Sequence, residues 1–197
     1  IPPENVHPWR TDLASPEDAT LEMQGQLADV FGCSIATGTP PRFDVMLLGT
    51  GSMVPLPNRW LSSVLLRVER SLILLDCGEG TQVAMRMRHW GFRKLDMICL
   101  SHMHADHVAG IPGLLHTLAN SGKTDPLTIL GPAGTIEVIQ GLRTIAPHLP
   151  YDLIVHELTD GDQVSGPNGV RIRVAEGMHR VPVIGYTWFP MLTMIDW

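Results

Sequence analysis

The chain has 197 residues, of which 44% are hydrophobic and 17% charged, and its formal net charge is −6 at pH 7. This length favours one domain with a substantial core, the longest apolar runs are strand-sized and too short to span a bilayer, and the acidic balance argues against a surface that coats nucleic acid broadly. Because no signal segment opens the chain and its three cysteines lack the spacing of a disulfide framework, we expect a reducing, cytoplasmic setting.

Residues 1–40 differ in character from the rest of the chain. Ser15-Pro16-Glu17-Asp18 has the pattern of a helix start, with a serine N-cap, proline in the first turn and acids behind it. This helix is predicted to end at Gly32, and residues 34–41 then resemble a linker. We therefore expect an N-terminal extension over 1–40, packed or loosely attached, or serving as a docking or dimerisation arm, followed by one domain over 41–197.

From Phe43 onward, strand-like and helix-like segments alternate, which is typical of an α/β fold. Glycine-rich turns follow several of the predicted strands, notably at Gly49-Thr50-Gly51-Ser52 and around Gly78. The pattern predicts strands over 43–48, 60–68, 70–75, 97–100, 127–130, 153–158 and 170–174, and helices over 83–90, 110–118 and 135–145.

Directly after the strand predicted at 97–100, four potential metal ligands lie within six residues, in the segment Ser101-His102-Met103-His104-Ala105-Asp106-His107. Side chains alternate along an extended segment, so His102 and His104 point the same way and can hold one ion. Asp106 and His107 lie in the turn before the next helix and can reach a second ion. This mixture of nitrogen and oxygen ligands suits zinc, with manganese as a substitute. The alternative, a polar surface loop, is the weaker explanation of so dense a pattern.

Two further residues at predicted strand ends are candidates for the same site. Asp76 precedes a glycine-rich turn, where a carboxylate can orient a metal-bound histidine, although strand-Asp-x-Gly alone is more often a turn signal. His179 follows the strand predicted at 170–174 and is the remaining candidate ligand.

A basic stretch with an aromatic residue lies on the predicted helix 83–90 and its exit. Arg86 and Arg88 could hold phosphates and, with Arg59, are candidate substrate contacts. A solvated helix face with a buried Trp90 is the favoured interpretation of this stretch, given the acidic composition.

Several motifs together carry a family resemblance over residues 43–186. In chain order they are Leu47-Leu48-Gly49-Thr50-Gly51, Asp76-Cys77-Gly78-Glu79-Gly80-Thr81-Gln82, the segment 101–107, Ile111-Pro112-Gly113-Leu114-Leu115, Gly131-Pro132, and His179 with Gly185-Tyr186. The chain resembles ribonuclease Z, the tRNA 3′-processing endonucleases of the metallo-β-lactamase superfamily. His-x-His-x-Asp-His indicates only the superfamily, and the block at 76–82 narrows the resemblance to this branch.

The resemblance implies an αββα sandwich with two zinc ions. By position, His102, His104 and His179 would hold one zinc, and Asp106 and His107 the other. It implies that a metal-bound hydroxide removes the 3′ trailer of precursor tRNA, with Asp106 as the proton acceptor. We expect the chain to form a homodimer or to pair with a second chain that completes the site.

The sequence also departs from the family pattern. The family's bridging aspartate, its last histidine ligand and its tRNA-gripping arm follow the Gly-Tyr motif at a distance, whereas this sequence ends at Trp197. We therefore expect the N-terminal half to two-thirds of the fold, with a second chain completing the site. Two alternatives remain: a metallo-hydrolase of the same fold that acts on a small molecule (a lactone, a β-lactam, an aryl sulfate or a small phosphodiester), and a truncated, non-catalytic homologue.

Overall fold

Two β-sheets form the framework of residues 43–189. The computed structural model describes residues 43–189, so the predicted extension and its helix lie outside the described residues. The larger sheet has six strands in chain order: β1 (Phe43–Gly49), β2 (Ser63–Val68), β3 (Ser71–Leu75), β4 (Leu95–Cys99), β5 (Leu127–Gly131) and β6 (Leu153–Glu157).

The larger sheet changes from antiparallel to parallel at β3. β1 to β3 pair as an antiparallel meander, whereas β3 to β6 run parallel. The carboxyl ends of parallel strands meet at one edge of a sheet, where α/β proteins place their ligands. Asp76 follows β3 and the histidine-rich segment follows β4, so the topology brings both to that edge.

Four helices connect the strands. They are α1 (Thr81–Arg88), α2 (Ala105–Val108), α3 (Ile111–Asn120) and α4 (Thr135–Arg143). The predicted helices match α1, α3 and α4 with shifts of a few residues, whereas the short α2, which carries Asp106 and His107, was predicted as a turn. Glu157 at the end of β6 accepts hydrogen bonds from the amides of Gly134 and Ile136 and so caps α4.

The smaller sheet contains β7 (Gln163–Ser165), β8 (Arg171–Glu176) and β9 (Ile184–Phe189), all antiparallel. A 3₁₀ turn at Pro167–Gly169 joins β7 to β8. The predicted strands did not include β7 or β9, because both obtain their hydrogen bonds from β8. The strand predicted from Trp60 begins only at Ser63.

Two apolar cores lie on the two faces of the larger sheet. One cluster includes Leu74, Ile98 and Leu114 and joins this sheet to the helices, whereas the other includes Ile73, Cys99 and Ile172 and joins it to the smaller sheet. The described residues thus form a helix layer and two sheet layers, which agrees with the predicted αββα sandwich. Within residues 43–189, no helix is long and apolar enough to cross a membrane.

Candidate metal centre

Three imidazole rings converge at the carboxyl edge of the larger sheet. Nε2 of His102 lies 3.1 Å from Nδ1 of His104, which lies 3.2 Å from Nε2 of His179. One nitrogen from each ring lies within 4.8 Å of the other two. His102 is buried, whereas His104 and His179 are exposed. The three nitrogens form a cluster that is open on one side and could hold a metal ion.

Ser101 sets the orientation of the buried histidine. Its hydroxyl donates to Oδ2 of Asp76 at 2.9 Å and lies 2.9 Å from Nδ1 of His102. Because the hydroxyl proton is used on Asp76, Nδ1 of His102 is the donor in the second contact. This leaves the lone pair on Nε2, the atom that faces His104.

Asp76 accepts hydrogen bonds from two residues of the site, Ser101 and His107. Oδ1 accepts the amide of Ser101 at 2.7 Å, and Oδ2 lies 2.7 Å from Nδ1 of His107. A carboxylate can only accept, so Nδ1 of His107 carries the proton and its Nε2 is free to bind a metal. Asp76 itself has a φ of 54°, a left-handed conformation that turns the chain out of β3.

Asp106 and His107 form a second group beside the three-histidine cluster. Oδ2 of Asp106 lies 3.7 Å from Nε2 of His107, and the ring of His107 lies 4.1 Å from that of His102. Oδ2 of Asp106 also accepts the amide of Met53 at 2.9 Å and the hydroxyl of Ser52 at 3.3 Å. One carboxylate and one imidazole are thus available for a second ion.

His179 reaches the cluster from the smaller sheet. It lies in the loop that joins β8 to β9, which closes with a bond from the Gly177 amide to the Val183 carbonyl. The amide of Ile184 donates to Ser101, and the Tyr186 hydroxyl donates to Leu100 at 2.9 Å. These two bonds join β9 to the chain that carries His102.

The electrostatics of the site favour a neutral imidazole at His102. Burial, and then the neighbouring His107, hold the pKa of His102 below its ordinary value. Burial alone would lower the pKa of His107 too, but its hydrogen bond to Asp76 and the charges of Asp76 and Asp106 together raise it. The amide of Met53 is the main cause of a lowered pKa at Asp106, which therefore stays ionised.

The cysteines near the site belong to the core. Burial raises the pKa of Cys77 to about 12 and also raises that of Cys99, so both remain neutral thiols. Cys99 has 1% exposure and belongs to the core between the sheets.

The three candidate substrate contacts lie in two separate places. Arg59 lies in the loop before β2 and donates through Nε to Thr50 at 3.1 Å. Arg86 and Arg88 are exposed in the last turn of α1, whereas Gly78, just before that helix, packs on the backbone of Asp106. The two helix arginines therefore lie at the end of α1 away from the metal centre.

Sequence reasoning missed three residues of the site. Ser101 was part of the histidine motif, but no role was assigned to it. Ser52 and Met53 follow the glycine turn after β1, and their contacts with Asp106 span more than 50 positions in the sequence. A backbone amide carries no sequence signal, so only the glycine turn at residues 49–51 could have indicated this contact.

Known proteins resemble this chain over the part that contains the site. A family profile described as anti-Pycsar protein Apyc1 matches residues 43–136. Human tRNase Z, short form, superimposes with a TM-score of 0.63 and 28% identity, over 74% of this chain and 64% of that one. The metallo-beta-lactamase fold protein YhfI from Bacillus subtilis gives a TM-score of 0.64 at 22% identity, over 77% and 59%. The chain has the metallo-β-lactamase fold.

Curated relatives confirm the predicted resemblance to ribonuclease Z. The ribonuclease Z of Agathobacter rectalis is 48% identical over 144 residues, which are 73% of this chain and 48% of that protein. The ribonuclease Z of Clostridium beijerinckii is 46% identical over 150 residues, 74% of this chain and 49% of that protein. The chain spans about half the length of the curated relatives that it matches.

Proposed function

We propose that this chain forms the metal-binding part of a zinc-dependent phosphodiesterase of the ribonuclease Z type, which removes the 3′ trailer from precursor tRNA. The observation that carries the proposal is the convergence of His102, His104 and His179, with Asp106 and His107 beside them. The similarity to proteins named ribonuclease Z favours this substrate over others.

The donor set fits zinc. Three imidazoles, each with one nitrogen within 4.8 Å of the other two, match the ligands of a hydrolytic zinc site that keeps a position open for water. The Asp106–His107 pair adds an oxygen ligand, which manganese also accepts. Bound metal would supply water ionised at neutral pH and would stabilise charge on the phosphodiester.

The protein's own residues have distinct roles in this proposal. Asp106 accepts a proton, since its carboxylate is kept ionised beside the metal positions. Asp76 and Ser101 orient the ligands. Arg59 contacts substrate near the centre, whereas Arg86 and Arg88 can contact only parts of an RNA that extend past α1.

We further propose that the enzyme works in the cytoplasm as a homodimer or with a second chain that supplies the remaining ligands. Metal content and intact mass of the purified chain test this directly. Two zinc ions per chain, together with a dimeric mass in solution, support it. A monomer with one ion or none would show that the second position needs residues outside this chain.

Cleavage of a precursor tRNA in zinc or manganese tests the activity. We expect a tRNA product with a free 3′-hydroxyl and a trailer with a 5′-phosphate. Asp106→Ala should reduce cleavage by more than its loss of metal explains. Failure of a full-length, zinc-loaded version of the protein to cleave would contradict the proposal. Turnover of bis-p-nitrophenyl phosphate, a lactone or a β-lactam without affinity for tRNA would instead favour the small-molecule alternative.

A further inference from the structure

The loop between β1 and β2 is held by its own hydrogen bonds and contacts Asp106 of the candidate metal centre. The amide of Gly51 donates to the carbonyl of Trp60 at 2.7 Å and closes the base of the loop. Nearer the tip, Leu56 and Arg59 exchange two backbone hydrogen bonds, and Arg59 also bonds to Thr50. These bonds fix the course of the segment between them, residues 52–55.

Glycine is needed at the base of this loop, where Gly51 faces Trp60. A Cβ on Gly51 would lie 2.9 Å from the carbonyl oxygen of Trp60, which is too close for an ordinary contact. The close approach of the two chains at this point therefore depends on the absence of a side chain. The glycine turn after β1 thus determines where Ser52 and Met53 are held.

Met53 has an unusual conformation with its side chain in solvent. Its φ is 64°, in the left-handed region, and its side chain is 84% exposed. Residues other than glycine rarely adopt this conformation without a compensating interaction. Here the interaction is made by the backbone, whose amide donates to Oδ2 of Asp106 at 2.9 Å.

Ser52 contacts the same oxygen. Its hydroxyl lies 3.3 Å from Oδ2 of Asp106, so two successive residues of the loop bind one carboxylate oxygen. Asp106 lies on α2, a helix too short to fix the side chain by itself. Two bonds to Oδ2 set the plane of the carboxylate and therefore the direction in which it faces an ion beside His107.

We propose that Ser52 and the backbone amide of Met53 are positioning residues that hold the carboxylate of Asp106 in the orientation needed for the second metal position. This inference rests on the proposed function, because it concerns the ion shared by Asp106 and His107. It assigns the Met53 side chain no part in the arrangement.

Hydrogen exchange measured by NMR on the metal-free chain tests the bond itself. We expect the Met53 amide to be protected and to lose most of its protection in Asp106→Ala. The amide of Val54, which donates to the carbonyl of Ser52 at 2.8 Å, serves as the internal reference. An equal exchange rate for Met53 in both proteins would overturn the proposal.

Binding of zinc and of manganese, measured by calorimetry, tests the consequence. Met53→Pro removes the amide proton and cannot adopt a positive φ, so affinity at the second position should fall by more than about tenfold. Met53→Gly keeps the amide and tolerates the conformation, so it should bind as the parent does. Ser52→Ala should weaken that position roughly three- to tenfold, as expected for one lost hydrogen bond, and Ser52→Thr should restore it.

Val54→Ala is the matched control, because it shortens a neighbouring exposed side chain without touching Asp106. Thermal unfolding confirms that each variant is folded. Unchanged affinity at the second position in a folded Met53→Pro protein would overturn the inference. Absence of zinc from the three-histidine cluster would instead contradict the proposed function. The exchange experiment separates the two failures, because it tests the bond between Met53 and Asp106 without metal.

Discussion

At the scale of single residues, Asp76 links two parts of the candidate site. It accepts bonds from the amide and hydroxyl of Ser101 and from His107, and through Ser101 it also orients His102. One carboxylate therefore determines the tautomers of histidines at both proposed metal positions. Its importance follows from its position at the end of β3, adjacent to the histidine-rich segment that follows β4.

Replacement of Asp76 by alanine should weaken metal binding without removing a ligand. We expect the affinity for zinc to fall by about 10–100-fold, as is typical when support behind a metal ligand is lost. Calorimetric titration with zinc measures this. Asp125→Ala is the control, since it removes an exposed carboxylate that pairs with Lys94. An equal, small effect of the two substitutions would show that Asp76 does not orient the ligands.

A second residue-scale prediction concerns Lys123, which has 1% exposure and no hydrogen-bond partner for Nζ. The nearest carboxylate, that of Asp96, lies 3.9 Å away. Burial lowers the pKa of Lys123, although Asp96 and Asp125 partly oppose this. Below this lowered pKa the folded protein retains a buried charge at a free-energy cost.

Lys123→Met should therefore stabilise the protein at pH 7. Between the lowered pKa of the folded state and the ordinary value near 10.5, the unfolded chain binds a proton that the folded chain does not. The parent thus gains stability as the pH rises through this window, and the advantage of the variant should shrink. Urea unfolding at pH 7 and pH 10 checks this, and a difference that is independent of pH would contradict it.

Individual residues differ in how far the sequence predicts their surroundings. His102 and His104 have the alternating spacing that places two ligands on one side of an extended segment, and their neighbours in the sequence make the pattern specific. Lys123 follows Ser121-Gly122 and resembles a residue of a surface turn, so its burial depends on packing that no local pattern encodes. The support from Ser52 and Met53 is likewise a tertiary contact.

At the scale of elements, α4 depends on a cap that comes from another strand. Glu157 accepts the amides of Gly134 and Ile136, both at 3.0 Å, at the N-terminus of this helix. Glu157→Gln should reduce the free energy of unfolding by about 1 kcal/mol, because one charged acceptor of helix amides is lost. Chemical unfolding measures the change. Glu137→Gln removes the same charge from the first turn of α4, and an equal loss there would show that charge alone matters.

The strands of the larger sheet were predictable because each is a run of apolar residues that ends in a glycine-rich or polar turn. β7 and β9 were not. β7 has three residues, and β9 begins Ile184-Gly185, so neither has a clear local pattern. Both are strands because β8 lies between them and offers hydrogen bonds on either side, which is a property of the assembled sheet.

At the scale of the whole molecule, a metal ion would link segments that are distant in sequence. His102 and His104 follow the larger sheet, whereas His179 belongs to the smaller one. Zinc should therefore raise the midpoint of thermal unfolding, with a stabilisation of about 2.7 kcal/mol when free zinc is ~100 times Kd.

His179→Ala should abolish most of this stabilisation. His116→Ala should not, because His116 is exposed on α3 and contacts Asn120 rather than the cluster. Differential scanning calorimetry with zinc and with a chelator compares the three proteins. Equal stabilisation of the parent and His179→Ala would show that zinc binds without joining the sheets.

Because β9 is bonded to the chain just before His102, the core between the sheets influences the geometry of the candidate metal centre. Tyr186 and Ile184 bond to Leu100 and Ser101, so the spacing of the sheets also sets how far His179 stands from its two partners. Ile172, which is fully buried between the sheets, helps to determine that spacing although it touches no ligand. Affinity for a bound ion would therefore depend on the separation of the sheets, and substitutions that add or remove methyl groups in this core would alter it although they touch no ligand.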